Sequence, residues 1–189
     1  MLSADELLSW CQRLEVSEAA RREIDRIRSS CPSRRVESGS NNVSGRYPSR
    51  KMGVTIQFES HQVELAFVRE MEHDPEVLEY YDQPPSFPLD YKSAKGRHLT
   101  VVHTPDFFVM SRATAGWEEC KTEEELYRLS KRSPKRYCWD QGSWHCPPGE
   151  AYACRFGLYY RVRSSRRSTG YCSETCNSWR IISARIAPR

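Results

Sequence analysis

The chain has 189 residues, 38% of them hydrophobic, and a formal net charge of +4, which suits one ordinary domain with an appendage. No apolar run approaches the roughly 20 residues that a membrane span needs, so we expect a cytoplasmic protein without a membrane partner. The acidic N-terminal segment lacks the pattern of a secretory signal. The eight cysteines include no CxxC pair, which argues against a structural zinc site.

The first part of the chain is predicted to contain two short helices and a basic linker. Ser3 and Ser17 suit helix caps, and apolar residues recur every three or four positions after each of them. Residues 29–50 are dominated by Ser, Asn, Gly, Pro and Arg, which is typical of an extended linker. We therefore divide the chain into an N-terminal helical arm with its linker (1–46), a domain (47–163) and a tail (164–189).

The domain is predicted to be an α/β fold, because strand-like and helix-like segments alternate in it. The predicted strands are 54–58, 77–81, 87–91, 99–110, 117–121 and 156–162. One helix is predicted at 60–72 and should end at Asp74-Pro75, since the residue before a proline avoids helical geometry. A second helix is predicted after a Thr122 cap, and residues 147–150 are expected to form a turn.

The chemistry of the chain is concentrated in Asp106, Glu119 and Lys121. Asp106 interrupts an apolar strand, and a buried carboxylate is costly unless it is paired, hydrogen-bonded or bound to a cation. Antiparallel pairing of the two strands can bring Asp106 beside Glu119, and two carboxylates with a nearby lysine suit Mg²⁺. A strand-capping Asp106 and a solvated Glu119–Lys121 ion pair are the alternatives.

A third carboxylate comes from the helix predicted at 60–72. Glu64 shares a face with Phe67 and Met71 at helical spacing, so its head should point toward the core. Glu59 competes for this role, but it precedes the predicted helix start and suits a cap or first-turn charge better.

Candidate DNA contacts lie in the linker and beside the carboxylates. Arg46, Arg50 and Lys51 suit contacts with phosphate groups, although a solvated arm explains them equally well. His103 lies close to Asp106 in the sequence and is also a candidate contact to DNA or to the surroundings of the metal.

Pro105-Asp106 followed by Glu119-Cys120-Lys121 is the PD-(D/E)xK signature of restriction-endonuclease-like nucleases. The neighbouring segments ESHQVELAFVREMEHDPEVLEYYDQPPSFPLDY, HTPDFF and WEECKTEEEL resemble the N-terminal catalytic domain of the TnsA-type transposon endonucleases. The motifs occur in the same order between residues 47 and 121. The resemblance implies a restriction-endonuclease-like mixed sheet flanked by helices, here with an N-terminal helical arm.

The resemblance also implies roles for individual residues. Glu64, Asp106, Glu119 and Lys121 are the implied catalytic residues. Asp106, Glu119 and the backbone carbonyl of Cys120 are the implied ligands of Mg²⁺, which Mn²⁺ can replace. Gln83 is expected near the site as an orienting amide, with Glu59 as the other candidate supporting residue.

A heteromeric transposase is the implied setting. The family nicks double-stranded DNA at the 5′ ends of a transposon, while a DDE-type transposase subunit acts at the 3′ ends. It also contacts a transposition ATPase through a C-terminal domain that is not recognisable here. We therefore expect a prokaryotic, nucleoid-associated protein. A catalytically silent DNA-binding or transpososome-assembly module, and a restriction or repair nuclease on the same fold, are the alternatives.

The tail from residue 164 changes to an irregular composition rich in Arg, Ser and Cys. Permissible codons for residues 166–183 can encode an amphipathic helix in a second reading frame. We hypothesise that the tail is a frameshift product or that the nuclease domain is truncated.

Overall fold

A computed structural model describes residues 1–34, 44–60, 63–93 and 95–166. Its helices are α1 (Ala4–Arg13), α2 (Glu18–Ser29), α3 (Glu64–His73), α4 (Glu123–Arg132) and α5 (Pro147–Cys154). Its strands are β1 (Gly45–Pro48), β2 (Thr55–Phe58), β3 (Val77–Asp82), β4 (Phe87–Lys92), β5 (His98–His103), β6 (Phe107–Ser111), β7 (Ala115–Lys121), β8 (Cys138–Asp140), β9 (Ser143–His145) and β10 (Tyr159–Ser164). None of these helices combines the length and the apolar character that crossing a membrane requires.

The frameshift or truncation hypothesis for 164–189 falls almost entirely on residues outside this description, as does the middle of the predicted linker, residues 35–43.

The centre of the fold is a four-stranded mixed sheet in the order β10-β7-β6-β3. β7 runs parallel to β10 and antiparallel to β6, and β6 runs antiparallel to β3. Every residue of β6 is buried, as expected for a strand covered on both faces. The predicted α/β fold with a mixed sheet between helices is confirmed. Three two-stranded pairs, β1–β2, β4–β5 and β8–β9, flank the sheet.

The sheet separates two hydrophobic clusters. On one side, Phe67 and Met71 of α3 pack with Phe107 and Cys120. On the other side, Trp117 is at the centre of a larger cluster that also contains residues of the two N-terminal helices and α4. Period-two alternation therefore directs Trp117 and Cys120 to opposite faces.

The N-terminal helices contribute to the larger cluster through Leu7, Ile24 and Ile27. Their packing is specified by polar contacts as well: the Trp10 indole N–H donates to the carbonyl of Ser111 over 2.8 Å, and Arg28 pairs with the fully buried Glu79 at 2.9 Å. The division of the chain at residue 46 stays a prediction.

Two predicted elements were wrong. The single strand at 99–110 is two strands in different sheets, since β5 pairs with β4 while β6 pairs with β3 and β7. Pro105 lies in the break and has no N–H to donate to a ladder. The turn at 147–150 is the first turn of α5, where Pro147 is tolerated because the first N–H groups of a helix have no partner within the helix.

α3 begins at Glu64, four residues later than predicted, and its cap at Asp74 matches the predicted end at Asp74-Pro75.

A buried ion pair holds β10 against β7. The Glu118 carboxylate is fully buried and accepts hydrogen bonds from Arg163 Nε and from the Tyr159 hydroxyl, each over 2.9 Å. A second cation, Arg161, lies 3.7 Å away and is more exposed. This cluster stabilises the parallel pairing that brings Tyr160 beside the end of β7.

Replacing Arg163 by leucine is expected to lower the free energy of unfolding by about 3–5 kcal/mol, because Glu118 would remain as a buried charge with a weakened counter-charge. Chemical denaturation measures the change. Arg161→Leu is the matched control, on the same strand and beside the same carboxylate, and should cost clearly less. Equal losses in the two variants would contradict this assignment.

Candidate active site

Three of the predicted site residues meet at one end of β6 and β7. The register pairs Phe107 with Glu118, and its continuation by one residue places Asp106 opposite Glu119. The Asp106 carboxylate turns toward the neighbouring strand, where Oδ2 accepts the backbone N–H of Cys120 over 2.7 Å. Lys121 follows at the end of β7, with Nζ 3.3 Å from Glu119 Oε1.

Glu64 approaches the same place from α3. It is the first residue of that helix and only 6% exposed, and its Oε2 accepts the backbone N–H of Glu59 over 2.8 Å. Glu64 is therefore the inward carboxylate of the two candidates. Glu59 is partly exposed and pairs with Arg34 at 2.9 Å.

Glu64 and Asp106 form a carboxylate pair that lacks enough positive charge around it. Burial, then the neighbouring Asp106 charge, raises the pKa of Glu64 to about 7. Burial and the charge of Glu119 raise the pKa of Asp106 to about 6, although Lys121 acts in the opposite direction. Of the hydrogen bonds between described residues, the Asp106 side chain takes part in one, at Oδ2. Such a pair is suited to binding a cation, because the cation would relieve the repulsion.

The surroundings of Glu119 have the opposite effect, because they favour its ionised form. Its Oε1 accepts the Tyr137 hydroxyl over 2.8 Å and its Oε2 accepts the Tyr160 hydroxyl over 2.6 Å. Burial alone would raise the pKa of Glu119, but Lys121, His103 and the two tyrosines lower it to about 2. The carboxylate is thus held ionised at the centre of a hydrogen-bonded network.

His103 belongs to this network. Its Nε2 lies 2.7 Å from the Tyr160 hydroxyl, and its Nδ1 lies 3.2 Å from Nη2 of Arg136. Because the guanidinium can only donate, Nδ1 accepts and the ring proton resides on Nε2. Burial lowers the pKa of His103 to about 4, which keeps the ring neutral. The residue is 8% exposed, so its place is inside the protein; a contact to DNA stays a prediction.

The backbone of Gln83 lies beside Asp106, and its role as an orienting amide stays a prediction. It is buried, with φ of 46°, and its backbone N–H donates to the Asp106 carbonyl over 2.9 Å. Its side-chain Oε1 accepts Nε of Arg34 over 2.7 Å, and the same guanidinium pairs with Glu59. Arg34 therefore ties the two candidate supporting residues together.

The three candidate DNA-binding cations of the linker region have different surroundings. Lys51 donates to the carbonyls of Met71, Asp74 and Val77 over 2.6–2.8 Å, which satisfies the C-terminal end of α3. Arg50 and Arg46 are exposed, the first in the turn after β1 and the second on β1 itself. Roles for these three residues in DNA binding stay predictions.

The residues that sequence reasoning missed are Tyr137, Tyr160 and Arg136. Both tyrosines are buried, and their hydroxyls bind Glu119. The available signal was the alternation along β10, which directs Tyr160 and Val162 inward, since a buried tyrosine hydroxyl usually has a hydrogen-bond partner.

The donor set fits a hard divalent cation. Mg²⁺ needs only one or two protein carboxylates, because it keeps several waters and uses substrate phosphates. Glu119 Oε2 accepts the Tyr160 hydroxyl and can still offer a second lone pair. Among the described residues, no three histidine, cysteine, aspartate or glutamate side chains form a ready-made metal site.

The strand order, with Asp106, Glu119 and Lys121 at one end of the central strands, defines a restriction-endonuclease-like domain. Residues 74–164 match the family described as TnsA-like endonuclease N terminal, and the domain they form belongs to that family. No curated protein matches the chain. The match begins immediately after α3, so the assignment of Glu64 depends on its geometry alone.

Asp106→Asn is expected to stabilise the metal-free protein at pH 8 by about 1–3 kcal/mol, since one pKa unit corresponds to about 1.4 kcal/mol. Because the folded state raises the pKa values of Glu64 and Asp106, it binds more protons than the unfolded state, and stability falls as pH rises from about 4 to about 7. The Asp106→Asn variant should therefore lose less stability than the wild-type protein as pH rises over this range. Denaturation at several pH values tests it, with the exposed Asp140→Asn as control. A lower stability of Asp106→Asn at pH 8 would contradict the expectation.

Tyr160→Phe and Tyr137→Phe should each lower the free energy of unfolding by about 1–3 kcal/mol, because each leaves a buried Glu119 oxygen without one hydrogen bond. The double variant should deviate from the sum of the single variants by about 0.5 kcal/mol or more, since both act on one carboxylate. Urea denaturation gives all three values, with the exposed Tyr127→Phe as control. Strict additivity would indicate that the two hydroxyls act independently.

Proposed function

We propose that the chain is a Mg²⁺-dependent DNA endonuclease that hydrolyses phosphodiester bonds at the 5′ ends of a transposon. The observation that carries the proposal is the position of the undercompensated Glu64–Asp106 pair beside the Lys121 ammonium, in a domain of the TnsA-like endonuclease family. Family membership supports a nuclease activity in transposition. The metal, the bond that is cut and the partners are our proposal.

Asp106, Glu119 and the Cys120 carbonyl would hold the cation, with Glu64 as the carboxylate facing Asp106. A bound Mg²⁺, for which Mn²⁺ can substitute, would supply Lewis-acid activation of the scissile phosphate and of a water. The hydrogen bond from the Cys120 N–H fixes one Asp106 oxygen, so the other is the natural candidate for the cation.

Lys121 would orient the attacking water and offset the charge that develops on the phosphate. Burial acts against its ammonium form, but Glu119 and Asp106 outweigh burial and raise the pKa of Lys121 above its ordinary value. A permanently charged ammonium suits charge stabilisation better than proton abstraction. Glu119 keeps this ammonium in place, and Tyr137 and Tyr160 keep Glu119 in place.

The proposed partners are double-stranded transposon ends, a DDE-type transposase subunit and a transposition ATPase. Family membership supports a transposition complex with DNA, and the charge of the site explains why the DNA phosphates need a cation there. Such a protein would act on DNA in the cytoplasm.

The test is a nicking assay on labelled transposon-end duplexes with the DDE-type subunit supplied. Wild-type protein should cut at the 5′ ends with Mg²⁺ or Mn²⁺ and lose activity with a chelator. Asp106→Ala and Lys121→Ala should each lower the rate on the order of 100-fold or more while DNA binding persists. Asp140→Ala and Lys131→Ala, which remove the same residue types at exposed positions, should leave the rate unchanged.

DNA binding without metal-dependent cleavage would replace the proposal by that of a silent assembly module. Cutting that ignores transposon ends would instead favour a restriction or repair nuclease.

A further inference from the structure

The hairpin of β4 and β5 carries a group of basic residues at its tip. Lys92, Lys95, Arg97 and His98 are all exposed. Within the part of the chain that the structure describes, none of the ion pairs involves them. The Ser93 N–H donates to the Arg97 carbonyl, and the Gly96 N–H donates to the Ser93 carbonyl. We call this group of four residues the basic tip.

The hairpin has a core-facing side and a solvent-facing side along its whole length. Six residue pairs connect its base, Phe87–His103, to its end, Lys92–His98. Phe87 and Leu89 of β4 are buried. Val102 of β5, which pairs with the residue between them, is 82% exposed. Five residue steps of about 3.4 Å place the basic tip roughly 17 Å from the base.

The base of the hairpin is attached directly to the candidate active site. Phe87 stacks on Tyr152 with ring centroids 3.8 Å apart, and it contacts the edge of Trp117. His103 bonds to the Tyr160 hydroxyl, which in turn bonds to Glu119. Only Thr104 and Pro105 separate the hairpin from Asp106. The distance between the basic tip and the site is therefore set by packed structure.

The carboxylates of the site do not supply affinity for DNA. Glu64, Asp106 and Glu119 carry more negative charge than Lys121 offsets, and affinity for DNA comes mainly from cations that neutralise phosphates. Those cations have to lie away from the carboxylates but at a fixed distance from them. The basic tip meets both conditions, and a two-stranded β-ribbon fits the major groove of B-DNA.

We propose that the basic tip binds the sugar–phosphate backbone of the duplex flanking the cleavage site. The roughly 17 Å from the base of the hairpin to the basic tip corresponds to about five base pairs at about 3.4 Å each. The inference rests on the proposed function, because it concerns how that site would hold its DNA. The contact is to phosphates and is independent of base sequence.

The first test is the salt dependence of DNA binding by the full chain, measured by fluorescence anisotropy without divalent ions. The variant K92S/K95S/R97S should lower the slope of log K against log salt by about 2–3, since each phosphate contact contributes about 0.9. The variant R128S/K131S/R132S removes the same charge from exposed positions on α4 and should change the slope less. Equal slopes in the two variants would overturn the proposal. Thermal melting of both variants checks that they fold.

The second test shortens the duplex from either side of the cleavage position. Wild-type affinity should drop when one flank becomes shorter than about five base pairs, and K92S/K95S/R97S should not show this drop. The same length dependence in both proteins would also overturn the proposal.

The two proposals fail separately in these experiments. If wild-type protein cleaves with Mg²⁺ but K92S/K95S/R97S has an unchanged salt slope, the proposed role of the basic tip is wrong and the endonuclease proposal stands. If the salt slope depends on the basic tip but no metal-dependent cleavage occurs, the endonuclease proposal is wrong and the proposed role of the basic tip stands. Absence of DNA binding by wild-type protein refutes both.

Discussion

The need to satisfy the buried charge of Glu119 organises the site end of this fold. A carboxylate that is 2% exposed requires partners, and they come from widely separated parts of the chain. Tyr137 follows α4, Tyr160 lies on β10 and Lys121 ends β7, while His103 at the end of β5 bonds to the Tyr160 hydroxyl. Each partner that binds Glu119 also fixes the position of the element that carries it. The parallel pairing of β10 with β7 therefore has an electrostatic function beside its contribution to the core.

The contrast between Glu119 and the Glu64–Asp106 pair gives the site its chemical character. The charge of Lys121, together with His103 and the two tyrosine hydroxyls, outweighs burial and lowers the pKa of Glu119 to about 2. Burial dominates at Glu64 and Asp106 and raises their pKa values to about 7 and about 6. The same small volume thus contains one carboxylate that the protein satisfies itself and two that it leaves for an external cation. Such division of carboxylates by environment is typical of sites that do chemistry.

Local sequence patterns indicated those site residues whose positions depend on residues close to them in the sequence. Asp106 was identifiable because it interrupts an apolar run, and Lys121 because period two places it on the face of Glu119. Glu64 was identifiable from helical spacing. The network around Glu119 was not predictable in the same way, because Tyr160 is 41 residues away from Glu119 and meets it only through the pairing of β10 with β7. α5 was missed because Pro147-Pro148-Gly149 has the composition of a turn, and tertiary packing decided between the two structures.

The strand break at Pro105, which the sequence pattern did not reveal, places the Asp106 carboxylate in the candidate active site. In an unbroken strand from 99 to 110, Asp106 would lie within the doubly covered sheet, where a lone charge is costly. The break ends β5 at His103 and lets β6 begin at Phe107, so Asp106 lies at the end of the central sheet. There its carbonyl accepts the Gln83 N–H and its Oδ2 accepts the Cys120 N–H. The break at Pro105 costs the ladder one hydrogen bond. It thereby brings the β4–β5 hairpin, the central sheet and Glu64 of α3 together at Asp106.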